Sequence, residues 1–138
     1  MSKYLEKAKE LRAIASPHYN CAQSVLLPFA PDFGISEEQA YRMGAHFGGG
    51  MKMGSVCGVI TGGLMALGAA GLEEPAIASR FVRMIRENHD GMIECKDLLR
   101  ANAQLGKEKK PHCDAMVYEA VEAVETILRE EGILTSIS

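Results

Sequence analysis

Apolar residues recur three and four positions apart along most of this chain, and hardly any stretch alternates at the strand period. The pattern predicts an all-α bundle of six or seven helices. The first helix is expected over about Lys3 to Ala15, with Leu5, Ala8, Leu11 and Ala15 on one face, before Ser16-Pro17 breaks it. Asn20, with Gln23 three residues on, has the spacing of a capping box. It opens a helix with Cys21 in its first turn that ends near Pro28 to Pro31. Ser36 and Gln39 repeat that spacing, so a third helix is expected from about Glu37 to Phe47, stopping at Gly48-Gly49-Gly50.

From Met53 to Leu72 twenty residues pass without a charge, the length that spans a bilayer. Six glycines, Ser55, Cys57 and Thr61 dilute its apolar character, so the expectation is a buried helix at the centre of a bundle. Gly58, Gly62, Ala66 and Ala70 stand four apart and form a ridge of small side chains that lets another backbone come close. Val59, Ile60, Leu64, Met65 and Leu67 fill the surroundings. Each interior glycine costs a helix about 1 kcal/mol against alanine, so packing must hold this one. Gly71 ends it, and Pro75 starts a helix to about Asn88 with Ile77, Phe81, Met84 and Ile85 inward. A short helix begins near Cys95 and carries Leu98 and Leu99; a charged loop covers Gly106 to Lys110. Pro111 suits the first position of a last helix reaching about Glu131, striped by Cys113, Val117, Ala120, Val124, Ile127 and Leu128.

A chain of 138 residues with 47% hydrophobic content fits one domain, 1–138, with an ordinary core and no need of covalent staples. The net charge is −3, and no basic run extends beyond the group Lys107, Lys109 and Lys110, so nucleic acid is not an expected partner. The first ten residues mix both charge signs and have no apolar signal core, which makes the cytoplasm the default location. In a reducing compartment thiols are more often catalytic, redox-sensing or metal-binding than permanent bridges.

That shifts attention to Cys21, Cys57, Cys95 and Cys113, each beside an expected helix start and none closer than 18 residues to the next. A helix start carries about half a positive charge and lowers a thiol pKa from about 8.5. Cys21, just after the cap Asn20, and Cys57, at a second helical position if Ser55 caps, are the best candidates for an attacking thiolate. Cys95 has Lys96 beside it but Glu94 and Asp97 too, and Cys113 follows His112 on an apolar stripe. The plain alternative is four small core residues, since free cysteine is among the most buried residue types.

Asn20-Cys21-Ala22-Gln23-Ser24-Val25, then Phe47-Gly48-Gly49-Gly50-Met51, then Cys57-Gly58-Val59-Ile60-Thr61-Gly62, followed by Cys95 and Cys113, resemble a family of small redox-active proteins. Its signature is four cysteines in the order C, C-G-A-x-x-G, C, C. The resemblance spans residues 20 to 113 and implies a helical fold, a redox role and, for some members, association with transporter genes. It carries Cys21, Cys57, Cys95 and Cys113 over as the signature cysteines; Val59 stands where the signature has alanine.

Two functions compete for those cysteines. In the first, two of them cycle between dithiol and disulfide with an unidentified redox partner; the absence of C-x-x-C means the fold must bring the partners together. In the second, the same four hold zinc or an iron–sulfur cluster, with His18 or His112 as substitute ligands. The separations of 36, 38 and 18 positions lack the local pairs that build half of most such sites. Gly48 to Lys52 is not GxxxxGK[ST] and follows no strand, so helix termination and packing near the thiols account for it better than a nucleotide does. Met43, Met51, Met53 and Met65 read as core or pocket filling, and Glu119, Glu122 and Glu130 as a solvated face. The amphipathic first and last helices are compatible with a homodimer.

Overall fold

The computed structural model describes residues 2–134, and among these the chain forms seven α-helices and no strand beyond one isolated bridge. The helices are α1 (Lys3–Ala13), α2 (Cys21–Leu26), α3 (Glu37–Gly44), α4 (Gly58–Ala69), α5 (Pro75–Glu87), α6 (Cys95–Gln104) and α7 (Lys109–Glu130). A 3-10 turn at Ala30–Phe33 and a wide turn at Gly50–Gly54 complete the regular structure. Both expected capping boxes are present: Asn20 and Gln23 exchange side-chain bonds with each other's backbone N–H at the start of α2, and Ser36 and Gln39 do the same for α3.

The core is one continuous cluster in which α2 and α4 lie at the centre, with α7 across both and α1 and α5 outside. The small-residue ridge of α4 is the reason α2 can lie so close. A Cβ added at Gly62 would fall 2.5 Å from the Ala22 carbonyl oxygen, and one at Gly58 would fall 3.0 Å from the Ala22 nitrogen. Gly63, on the next face, receives the Phe81 ring of α5, where a Cβ would sit 2.2 Å from the ring. Glycine in a helix is unfavourable locally; here it is repaid by backbone proximity that no larger residue allows. Along α7 Val117, Ala120, Val124, Ile127 and Leu128 are buried as the spacing predicts, while Cys113 at the head of that stripe is half-buried. The apolar faces of α1 and α7 meet each other within the chain.

Several expectations change in detail. Helix α1 stops at Ala13, and its buried face is Tyr4, Ala8, Leu11 and Arg12, leaving Ala15 exposed. Tyr4 belongs inside because its ring stacks on Phe29 at 4.5 Å between centroids and its hydroxyl donates to Asp32 at 2.5 Å. Helix α3 ends at Gly44, and α7 begins at Lys109, inside the segment expected as loop. The charge-free stretch from Met53 to Leu72 holds a helix of 12 residues, and no helix among the described residues is long and apolar enough to cross a membrane.

Candidate functional site

The four cysteines come from four helix starts that the packing of α2 against α4, and of α7 over both, turns toward one another. Cys21 is the first residue of α2, held by the Asn20 cap, whose amide also donates to the Gly44 carbonyl at 3.0 Å. Cys57 is the cap residue of α4 rather than its second residue, because the chain enters α4 along a short antiparallel bridge between Val56 and Glu94. In that bridge the Cys57 N–H donates to the Ile93 carbonyl at 2.8 Å and the Cys95 N–H to the Ser55 carbonyl at 2.7 Å. Cys95 then opens α6. Cys113 is the fifth residue of α7, two positions further in than Pro111 suggests, since α7 starts two residues before the proline.

Beside Cys95 the chain makes a tight detour. Gly49, Gly50, Met51 and Lys52 all have φ between 58° and 64°, the left-handed region that costs an ordinary residue roughly 1–2 kcal/mol. Gly50 is required twice over: its φ is left-handed, and a Cβ there would fall 2.5 Å from the Ser55 carbonyl oxygen and 2.9 Å from the Cys95 Cβ. Gly48 touches the Asn20 side chain, where a Cβ would fall 2.8 Å from Asn20 Cβ. Helix α3 stops at Gly44 with Ala45 as its cap, so the glycine run ends no helix; it packs against two cysteine-bearing elements instead.

The electrostatics single out one sulfur. Cys113 is pulled down to about 7, first by Cys21, whose thiol donates toward it, and then by the cations of Arg12 and Lys109; burial and Asp114 oppose this. Cys21 moves well above its ordinary value, chiefly because it is the proton-bearing partner of Cys113 and because it is buried. The two thus share one proton, and the first ionisation of the pair is Cys113's. Burial pushes Cys57 up to about 12; the Val59 N–H faces its sulfur and pulls the other way, without closing a cap hydrogen bond. Cys95 is raised as well, by burial and then by the Cys113 charge. The helix-start argument alone would activate Cys21 or Cys57. At both, burial and the neighbouring sulfurs outweigh the helix field, and the low pKa falls on Cys113 instead.

Arg12 was not among the residues singled out from the sequence. It lies with 8% of its surface exposed, its Nε donating to Asp114 Oδ1 at 2.7 Å and its Nη1 to the Tyr19 carbonyl at 2.9 Å. Lys110 reaches the same Asp114 at 3.1 Å. The available signal was an arginine four positions after Ala8 and eight after Tyr4, on the row that faces the core. His18 sits in the field of Arg12, Lys110, Lys109 and Lys52 and, with burial as the largest cause, is lowered from its ordinary value. His112 is lowered too, by burial and then by His89. Among the described residues no group of three or more His, Cys, Asp or Glu is placed to hold a metal ion. All four cysteines are free thiols, Cys57 buried and the other three half-buried.

Residues 19–127 match the family described as "Putative redox-active protein (C_GCAxxG_C_C)". Aligned on Cys57, the G-C-A-x-x-G of that description meets Val56-Cys57-Gly58-Val59-Ile60-Thr61 here, with the glycine after the cysteine rather than before it. No curated protein and no solved structure matches the chain.

Proposed function

We propose, from the premise that this chain belongs to the redox-active C_GCAxxG_C_C family, that Cys113 and Cys21 are a dithiol/disulfide couple trading two electrons with the disulfide of a partner. The observation that supports this best is the shared proton: Cys113 lies near 7 while Cys21 keeps its hydrogen. A thiol with a pKa near the ambient pH is the best attacker, because it is both ionised and still nucleophilic.

The Cys113 thiolate attacks one sulfur of the partner disulfide; that bond breaks and the other partner sulfur departs as a thiolate. The departing thiolate takes the proton that Cys21 held, since Cys113 no longer carries a charge to hold it in place. Cys21, now a thiolate, attacks the Cys113 sulfur of the mixed disulfide and releases the second partner thiolate, which is protonated from solvent. Two electrons pass to the partner and one disulfide forms in the protein; the reverse sequence reduces it. Arg12 keeps positive charge beside both sulfurs throughout.

Mixing the reduced protein with an aromatic disulfide that releases a coloured thiolate tests the assignment. The wild type is expected to show a fast release phase that is lost in Cys113→Ser; a fast phase unchanged in that variant would overturn the reading.

A further inference from the structure

The structure assigns Cys57 and Cys95 to a second redox pair, reached from the first through Cys113. This rests on the reading of Cys113 and Cys21 as the first pair. Three observations carry it. The bridge between Val56 and Glu94 fixes Cys57 and Cys95 one residue beyond each end of a facing pair, so both side chains leave the same face of the bridge as diagonal neighbours. Gly50, with no room for a Cβ, lets the backbone pass close to the Cys95 Cβ and limits the space that side chain can take on that flank. Cys57 is only 7% exposed, so an external partner cannot reach it, and any exchange it makes must be with a sulfur of its own chain.

The electrostatics join the pairs and give the transfer a direction. The Cys113 charge acts on Cys21, Cys57 and Cys95 alike, so it is the sulfur the other three have in common. Cys113 is the one sulfur whose charge acts on Cys95, so the first exchange runs through it although Cys21 is the poorer leaving group; Cys113, the better one, departs in the second step and draws the exchange forward. Once Cys21 and Cys113 are bonded, a Cys95 thiolate attacks the Cys113 sulfur, and Cys21 departs and takes up the Cys95 proton. Cys57 then gives its proton to solvent and attacks the Cys95 sulfur, and Cys113 departs as the thiolate it prefers to be. No electrons leave the chain in these steps: the disulfide moves to Cys57 and Cys95, and the first pair is restored as dithiol. Fully oxidised, the protein has given up four electrons and holds two disulfide bonds.

The test is oxidation by oxidised glutathione followed by alkylation and mapping of linked peptides. With one equivalent, the wild type is expected to yield the Cys57–Cys95 link; with excess, no alkylatable thiol. In Cys113→Ser, formation of the Cys57–Cys95 link should slow on the order of tenfold or more. Wild type that stops at a Cys21–Cys113 link, with Cys57 and Cys95 alkylated even in excess oxidant, would overturn the second pair and leave the first standing. A Cys57–Cys95 link that forms as fast in Cys113→Ser would overturn the route through Cys113. Absence of a Cys21–Cys113 link in Cys57→Ser/Cys95→Ser would instead remove the first pair.

Discussion

Arg12 donates to Asp114 across 102 positions of sequence, and the ion pair pins a buried guanidinium from α1 beside the Cys21 and Cys113 sulfurs of α2 and α7. Replacing it by Gln removes one of the two cations that favour the Cys113 thiolate. The pH midpoint of Cys113 alkylation should therefore rise above about 7. The Tyr19 carbonyl also loses a donor and Asp114 a partner, so chemical denaturation should show a loss of about 1–3 kcal/mol, moderated by Lys110, which stays on Asp114.

The pH dependence has a definite sign. Cys113 is depressed to about 7, and only the thiolate reacts. Its alkylation rate is expected to climb as pH rises through about 7 and then level off, while Cys57, pushed up to about 12, stays slow across the same range. In Cys21→Ala the largest cause of the depression is removed, and the midpoint should move upward. Mass spectrometry of timed alkylation at each site reads both curves.

Helix packing at Gly62 should be sensitive to a single methyl. A Cβ there would meet the Ala22 carbonyl oxygen at 2.5 Å, which is backbone and cannot rotate away. Gly62→Ala is expected to destabilise the fold by about 1–3 kcal/mol in spite of alanine's better helix propensity. Because Ala22 follows Cys21, the displacement should also weaken the thiol pairing, seen as a higher alkylation midpoint at Cys113.

Around the thiols the charge differs from that of the chain as a whole. The net charge is −3, yet Arg12, Lys52, Lys109 and Lys110 all act on His18, and Arg12 and Lys109 act on Cys113. Oxidised glutathione, which is anionic, should therefore react faster than the cationic disulfide cystamine, with a preference that shrinks as salt is raised toward 1 M, where the screening length falls to about 3 Å. Equal rates for the two at low salt would contradict this.

Much of the arrangement was legible from the chain because it depends on local chemistry. Asn20 with Gln23 and Ser36 with Gln39 announced their caps, and the four-residue spacing of Gly58 and Gly62 announced a close helix crossing. What escaped depends on contacts made far along the chain. Cys57 becomes a cap because Ile93, 36 positions away, takes its N–H, and no local pattern announces that bond. The same holds for the sulfur whose pKa is lowered. A helix start acts on any cysteine placed there, so spacing favoured Cys21 and Cys57. Burial of Cys57 and half-burial of Cys21, and the placing of Arg12 and the Cys21 thiol beside Cys113, are set only by how α1, α2, α4 and α7 pack.

The most direct measurement is linkage mapping of Cys57→Ser/Cys95→Ser after mild oxidation, with the pH varied from about 5 to 9. The account expects a single Cys21–Cys113 disulfide whose rate of formation rises through about pH 7, following the Cys113 ionisation. Two thiols that remain fully alkylatable after oxidation at every pH would contradict it.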